Sequence, residues 1–330
     1  MVRIRHFRVP LPLLSQFYER TMNPASSVRS YALVTLAVAS WALNFHLAVP
    51  VLRFVPPLAG AALRYAVGGA VLLALILASG GFSWARIRAH WLGILVVASA
   101  GVFLFNYAFF EGLQYTSPVN ATLIIGLNPV TTMLLATQML GTRLTLRQWL
   151  GAALSLAGVL VVISKGSWST LSSLSFSRGD LWFLLANLAF ALNHVSVRRF
   201  LSAMPALETT AVTSLLGLVL LAVPAAPALV AAPYATFPFV GFWLPLLVMG
   251  VLGTCLSYIS WNRGLVQIGP DKAALFMNLV PVFSVLIALT YGGTVTTPQL
   301  AGGAVVLAGI LVAQLGTRRK AVPQPVQGKR

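Results

Sequence analysis

The sequence predicts an all-α integral membrane protein whose ten transmembrane helices form two inverted five-helix repeats, with both termini in the cytoplasm. Three observations lead to this prediction. The composition is too apolar for a soluble domain, the basic residues fall in alternate connections, and the second half of the chain repeats the first. Of 330 residues, 58% are hydrophobic and 8% are charged, and the mean hydropathy is +0.88, whereas a soluble domain carries about a quarter charged residues.

Apolar runs of membrane length recur along most of the chain, and such runs are typical of membrane-spanning helices. The strands of a membrane barrel would instead alternate polar and apolar residues, a pattern that this sequence lacks. We expect spans at Tyr31–Val51, Pro57–Leu77, Trp91–Leu113, Pro118–Leu140, Leu146–Ser164, Gly179–Val197, Ala206–Leu229, Gly241–Leu265, Pro270–Gly292 and Gln299–Leu315.

The distribution of positive charge predicts the orientation of these helices. Alternate connections carry pairs of basic residues, as at Arg86 and Arg88, and both terminal segments are basic. These places hold 18 of the 22 Lys and Arg residues, whereas the other connections hold three. Such a bias marks the cytoplasmic side. The net charge of +17 therefore reflects topology, and we expect no nucleic-acid partner, because a nucleic-acid patch is continuous and lies on a soluble fold.

An internal repeat divides the chain into two units. When the chain is shifted by 152 residues, Trp91–Pro118 aligns with Trp243–Pro270, with nine of 28 positions identical. The triplet ALN at 42–44 returns at 191–193, and the Gly-rich segment 151–161 returns at 302–312. Because five helices is an odd number, the second unit enters the membrane from the opposite face. Inverted repeats of this kind are typical of secondary transporters.

The repeat also sets the domain boundaries that we expect. They are a basic N-terminal segment 1–29, a first repeat 30–165, an extracytoplasmic linker 166–178, a second repeat 179–316 and a basic tail 317–330. The sequence leaves open whether translation starts at Met1 or at Met22.

A proline lies near the middle of the fourth span and again of the ninth, at the equivalent positions Pro129 and Pro281. Because proline has no N–H, the carbonyls of Ile125 and Met277 lose their helical partners. In hydrocarbon such a carbonyl is costly unless a side chain, water or ligand bonds to it. Two interpretations stay open: a static kink that shapes packing, and a hinge whose loosened backbone faces a wet cavity.

Several of these motifs resemble the drug/metabolite transporter superfamily, in particular the EamA family of bacterial ten-helix permeases. The resemblance is carried by the basic residue of the second helix in LRYAVGGA (Leu63–Ala70), by SPVNATLIIGLNPV (Ser117–Val130) with its repeat GPDKAALFMNLVPV (Gly269–Val282), and by the Gly-rich fifth and tenth helices. It implies a ten-helix basket around a central cavity built mainly from helices 1, 3, 4, 6, 8 and 9. Members of the family export amino acids, other metabolites and drugs.

Polar and aromatic residues in mid-span cluster on these cavity helices and are the candidate substrate-binding residues. They are Trp41, Asn44 and His46 on helix 1, Phe103, Asn106 and Tyr107 on helix 3, Asn193 and His194 on helix 6, Ser257, Tyr258 and Trp261 on helix 8, and Met277 on helix 9. Asn128 and Asn278 are further mid-span amides. Each amide can instead form an interhelical hydrogen bond, and each aromatic ring can instead pack in the core or lie in a membrane-interface belt. Together they predict an aromatic cavity with amide groups, suited to a small ligand with a flat or apolar side chain.

Charged groups within the spans are scarce, which limits the substrates and the coupling. The five acids, Glu19, Glu111, Asp180, Glu208 and Asp271, lie in tails or near span ends. This argues against a multidrug exporter that relies on a buried carboxylate. Arg64 extends outward toward water, pairs with Glu111 or binds a substrate carboxylate. His46 and His194 lie within the spans and are expected as hydrogen-bonded neutral rings or as proton carriers, so the sequence leaves energy coupling open.

Other chemistry is not expected. The lone Cys255 excludes a disulfide framework and a cysteine metal cluster, and no catalytic or phosphate-binding motif is present. We therefore expect no metal, no cofactor and no enzyme activity. The glycines of helices 5 and 10 permit close helix approach, within a monomer or, as an alternative, across a homodimer.

The function that we expect is secondary transport in the bacterial inner membrane, by alternating access, of small neutral or zwitterionic metabolites. Amino acids, including aromatic ones, are the first candidates, and the partners are a small-molecule substrate and the lipid bilayer. Two alternatives stay open: export of uncharged drugs or purine-like metabolites, and a membrane scaffold that transports nothing.

Overall fold

The computed structural model describes residues 24–116, 124–173, 177–290, 292 and 294–314. Within these ranges the chain is helical with short connections and has no β-strand, so the all-α prediction is confirmed. The helices are α1 Pro24–Val51, α2 Pro57–Ser79, α3 Trp84–Gly112, α4 Asn128–Leu140, α5 Leu146–Ser164, α6 Arg178–Phe200, α7 Ala206–Ala231, α8 Phe239–Ile268, α9 Pro270–Leu289 and α10 Thr297–Gln314. A short helix, Trp168–Ser172, lies in the predicted linker.

Nine of the helices in the described ranges are long and apolar enough to cross a membrane. The exception is α4, which has 13 residues and is preceded by one helical turn at 124–126. The predicted fourth span begins earlier, at Pro118, but 117–123 lie outside the described residues. A tenth crossing at this place therefore stays a prediction, as do the cytoplasmic termini.

Local sequence signals set several helix ends. The hydroxyl of Thr145 accepts the backbone N–H of Gln148, and the Gln148 side chain accepts the N–H of Thr145, so that both free donors at the start of α5 are bonded. The repeat places the same pair before α10, where Gln299 accepts the N–H of Thr296 at 3.0 Å. Gly141 ends α4 with φ +66, a backbone conformation that glycine adopts without steric cost.

The equivalent helices α5 and α10 pack against each other with glycines at the contact. A Cβ atom added to Gly151 would lie 2.5 Å from the Gly309 carbonyl oxygen, and one added to Gly158 would lie 2.7 Å from that of Gly302. The N-terminal glycine of each helix therefore meets the C-terminal glycine of the other, so the two helices run antiparallel. Because they are equivalent in the repeat, their antiparallel packing means that the two repeats are inverted. The glycine contact lies within one chain.

A second pair of reciprocal contacts, each between an asparagine and a glycine, relates the two repeats in the same way. A Cβ on Gly253 would lie 1.8 Å from Asn44 Nδ2, and a Cβ on Gly101 would lie 2.3 Å from Asn193 Cγ. Asn44 is equivalent to Asn193 and Gly101 to Gly253, so the contact of α1 with α8 is repeated by α6 with α3. Such reciprocity is the mark of a two-fold relation.

Gly101 and Gly253 both lie in segments where the α-helix widens into a π-helix. Ala98–Leu104 in α3 and Met249–Leu256 in α8 are π-helical, at equivalent positions of the two repeats. Their i+5 hydrogen bonds widen the helix locally, and such segments are frequent at functional sites. Sequence periodicity gives no sign of them.

Candidate functional site

A cavity lies at the interface of the two repeats, with an empty volume of ≈ 980 Å³ when its open mouth is included. Its walls come from α1, α2, α3, α6, α8 and α9, and from Ile125 in the turn before α4. Most of the lining is aromatic or aliphatic. The aromatic residues are Trp41, Phe45, Phe105, Phe109, Phe110, Phe190 and Tyr258, and the polar ones are Asn44, Arg64 and Asn106.

The cavity occupies one half of the molecule. Its walls use the last turns of α1, the first turns of α2 and the last turns of α3, as at Val51, Gly60 and Phe110. These helix ends meet at the end of the molecule that holds connections 52–56 and 232–238, which we call the outer end. The charge distribution predicts this end to be extracytoplasmic. We call the opposite end, with connections 80–83 and 201–205, the inner end.

A layer of aromatic rings separates the cavity from the inner end. The Trp41 ring centroid lies 5.1 Å from that of Trp261, 5.2 Å from that of Tyr258 and 6.0 Å from that of Phe190. His194 packs 4.8 Å from the ring of Trp261, and both side chains are 0% exposed. Within the described residues, this layer closes the cavity toward the inner end.

Contacts between the two repeats hold the inner end together below that layer. Gln148 Nε2 donates to Asp271 Oδ2 at 2.7 Å, and the Ser30 hydroxyl donates to the Gln267 side chain. The ring of Tyr31 stacks on that of Phe276 with 5.7 Å between centroids. The cavity thus lies in the outer half, and contacts between the two repeats join them at the inner end.

Arg64 is the one cation among the described cavity-lining residues, and it does not pair with Glu111. Its Nη2 donates to Asn106 Oδ1 at 3.2 Å, while Asn106 Nδ2 donates to the Val102 carbonyl at 2.5 Å. Glu111 instead accepts a bond from Gln114 at 3.2 Å. In the described part of the chain, Arg64 has no carboxylate within 4.0 Å and its Nε has no hydrogen-bond partner.

The other polar groups in and beside the wall differ in whether their donors have hydrogen-bond partners. Trp41 Nε1 donates to the Gly253 carbonyl at 3.0 Å, across the two repeats. The hydroxyls of Tyr65 and Tyr258 bond to each other at 3.1 Å. Asn44 Nδ2 is buried in the wall and has no hydrogen-bond partner among the residues described.

The two mid-span prolines change the backbone hydrogen bonding of two residues in the cavity wall. Ile125 and Met277, whose carbonyls Pro129 and Pro281 leave without helical partners, are equivalent in the repeat and both line the cavity. The α-helix is also interrupted there, by a turn at Leu127 and by a 3-10 turn at Phe276–Asn278. The geometry fits the hinge interpretation, which stays a prediction.

Six of the residues singled out from the sequence come together in the cavity wall. They are Trp41, Asn44, Arg64, Asn106, Tyr258 and Met277. Trp261 and His194 lie in the ring layer beneath them. The structure does not bring His46, Phe103, Tyr107, Asn193 or Ser257 to the wall.

Those remaining residues have structural partners elsewhere. His46 Nε2 bonds to the Ser284 hydroxyl at 2.9 Å, and the rings of Phe103 and Tyr107 stack at 5.8 Å. The Ser257 hydroxyl donates to the Leu252 carbonyl at 2.5 Å. The amides Asn128 and Asn278 make interhelical bonds, to Asn187 at 2.9 Å and to Ser155 at 3.0 Å.

Sequence reasoning missed much of the aromatic wall, including Phe105 and Phe109 on α3. They lie four residues apart and form a stripe as regular as the one that contains Phe103 and Tyr107, so periodicity alone did not distinguish the two. The packing of α3 on α6 decides it, because the ring of Phe105 stacks on Phe190 at 4.6 Å.

Comparison with known proteins identifies related sequences over most of the chain. The model of the EamA-like transporter family matches twice, at residues 28–164 and 177–314. The uncharacterized transporter YyaM of Bacillus subtilis (strain 168) is 36% identical over 270 residues, which cover 82% of this chain and 88% of that protein.

Two further relatives carry names that state what they export. The probable terminal-alkyne amino-acid exporter of Streptantibioticus cattleyicolor is 28% identical, covering 76% of this chain and 83% of its own. The aromatic amino acid exporter YddG of Ancylobacter novellus is 26% identical, covering 80% and 90%. A solved crystal structure shares the fold with a TM-score of 0.73 at 23% identity, over 88% of this chain and 99% of that one.

Proposed function

Because the chain belongs to the EamA-like transporter family, we propose that it exports small neutral or zwitterionic metabolites, with large-side-chain and aromatic amino acids as the first candidates. It is a multi-pass transporter of the bacterial inner membrane. Transport of a solute needs a hydrated site that each side of the membrane can reach in turn, and the repeat interface is where secondary transporters place it.

One observation carries the proposal: a cavity at the repeat interface combines an aromatic wall with three polar side chains, Arg64, Asn106 and Asn44. An apolar pocket with few convergent polar groups fits a small ligand that has a polar head and a flat or apolar body. A scaffold protein needs no such space. The names of two relatives, which state export of amino acids, support the same class of solute.

The mechanism that we propose is alternating access. The described conformation has a cavity in the outer half and a sealed inner half. In the opposite conformation, the cross-repeat bonds of the inner end, Gln148 to Asp271 and Ser30 to Gln267, open, and the outer turns of α1 and α3 close over the ligand. The two-fold relation makes this exchange inexpensive, because each repeat adopts the conformation that its equivalent already has. Pro129 and Pro281 are the proposed hinges.

Uptake into liposomes tests this function. The purified protein is reconstituted, and uptake of labelled amino acids, nucleosides and uncharged drugs is measured with and without a pH gradient. We expect protein-dependent uptake of phenylalanine that Phe109→Ala, a change in the cavity wall, lowers at least severalfold. The control Phe239→Ala removes the same ring where it is 61% exposed and should leave uptake unchanged. Uptake of nucleosides alone would favour purine-like substrates, and uptake of no solute would contradict the transport proposal.

A further inference from the structure

We propose that the cavity recognises a carboxylate on an apolar or aromatic body and makes no use of an α-ammonium group. A monoanionic carboxylic acid should therefore bind at least as well as the amino acid with the same side chain. This inference rests on the proposed transport function and specifies the substrate chemistry of the same cavity.

Among the side chains of the described cavity wall, Arg64 carries the one charge, and none is a carboxylate. Arg64 Nη2 is the one guanidinium nitrogen with a hydrogen bond to a described residue, and Asn44 Nδ2 packs against Gly253 of α8. The Asn106 side chain is already bonded at both ends, to Arg64 and to the Val102 carbonyl, so it positions the guanidinium. The guanidinium therefore keeps a donor group, Nη1, that no described residue uses, and a ligand with acceptor oxygens can bond to it.

The aromatic residues add a donor to this set and no strong acceptor. Trp41 uses its N–H on the Gly253 carbonyl. The bond between the Tyr65 and Tyr258 hydroxyls uses one of their two protons, so the other is available to an acceptor. Tyr258 lines the cavity.

Acidic groups that could receive an ammonium are held elsewhere. Four of the five acids lie in the described part of the chain, and none of them lines the cavity. Each is bonded outside the cavity: Glu111 to Gln114, Asp180 to Thr116, Glu208 to Arg86 and Asp271 to Gln148. An ammonium would therefore lose its water in the cavity without gaining a carboxylate, which is unfavourable.

The Arg64 charge makes the preference for an anion strong. The guanidinium is half-buried in an apolar wall, with its Cζ 5.0 Å from the Tyr65 ring centroid and no acid in the described residues to neutralise it. Charges attract more strongly in such surroundings than in water. A guanidinium also presents its donors in a fixed fork that matches a carboxylate.

Three probes with the same phenyl group and chain separate the two ends of the ligand. They are L-phenylalanine, 3-phenylpropanoate, which lacks the ammonium, and phenethylamine, which lacks the carboxylate. Uptake into proteoliposomes is measured at a pH well above the pKa of the acid, with protein-free liposomes to subtract diffusion. The rise in melting temperature on adding each probe to the detergent-solubilised protein reports binding separately. We expect 3-phenylpropanoate to match or exceed phenylalanine in both measurements, and phenethylamine to give neither uptake nor a shift.

Variants of Arg64 test the residue. Arg64→Gln should lower uptake of both carboxylates about 10- to 100-fold, because a charge-assisted hydrogen bond is lost, and should abolish the melting shift. Arg64→Lys should keep part of both, since it retains the charge without the fork. The matched control Arg53→Gln changes an exposed arginine in the α1–α2 connection, outside the cavity lining, and should behave as wild type. Melting without ligand establishes that each variant is folded.

The outcomes distinguish this inference from the proposed function. Transport of phenylalanine without binding of 3-phenylpropanoate would overturn the inference and leave amino-acid export standing. Wild-type uptake by a folded Arg64→Gln variant, or uptake of phenethylamine, would also overturn it. If none of the three probes binds or crosses while a nucleoside does, both the inference and the amino-acid proposal are wrong.

Discussion

Two adjacent glycines of α10 should respond in opposite ways to the same substitution. A Cβ on Gly302 would lie 2.8 Å from both the Gly158 carbonyl oxygen and Val162 N, which are backbone atoms of α5. A Cβ on Gly303 would lie 3.4 Å from Val282 Cγ1, at the edge of ordinary contact. To accept Gly302→Ala, α5 and α10 must separate by about 0.6 Å, which weakens contacts along their interface.

The magnitude follows from two opposing terms. Replacing glycine with alanine inside a helix stabilises the folded protein by up to about 1 kcal/mol, whereas overpacking destabilises it by about 1–3 kcal/mol. Gly303→Ala has only the first term, and the repeat already places Ala152 at its equivalent position. We expect the two variants to differ by about 2 kcal/mol, which corresponds to roughly 4–8 °C in melting temperature.

Thermal unfolding of the two variants in the same detergent measures this difference. Gly303→Ala should melt at or slightly above the wild-type temperature, and Gly302→Ala clearly below it. Equal melting temperatures, or a Gly302→Ala variant more stable than wild type, would refute the reasoning that α5 and α10 are held at glycine-limited distance.

Three further outcomes are expected. Pro281→Ala restores an N–H for the Met277 carbonyl, so it should slow initial transport rates severalfold with little change in KM; unchanged rates would favour a static kink. Asn44→Ala removes a polar side chain of the cavity wall and should raise KM roughly fivefold, for about 1 kcal/mol, whereas Ser40→Ala, whose hydroxyl bonds within α1, should not; equal KM values would remove Asn44 from the site. Trp41→Phe keeps an aromatic ring but loses the N–H that bonds to the Gly253 carbonyl of the second repeat, so it should lower the melting temperature by a few degrees.

Part of the site was predictable because its residues lie on one face of a helix and belong to a motif that recurs in the sequence. Asn44 and Trp41 share a face of α1, and Asn44 belongs to a motif that the second repeat copies. The inward face of α3 was not predictable, because two stripes of equal regularity compete there. The choice depends on the ring of Phe190 from α6, which is distant in sequence. Arg64 illustrates the same limit, since its bond to Asn106 joins α2 to α3.

The sequence by itself determined the membrane class, the position of most helices and the inverted repeat. These follow from local quantities, namely apolar length, the placement of charge and the similarity of two segments. The tertiary structure decided which of the polar residues share one cavity, which contacts join the two repeats at the inner end, and where π-helical segments replace α-helix. Those properties arise from contacts between residues far apart in the chain, such as Trp41 with Gly253, and helical periodicity carries no information on a neighbour that is distant in sequence.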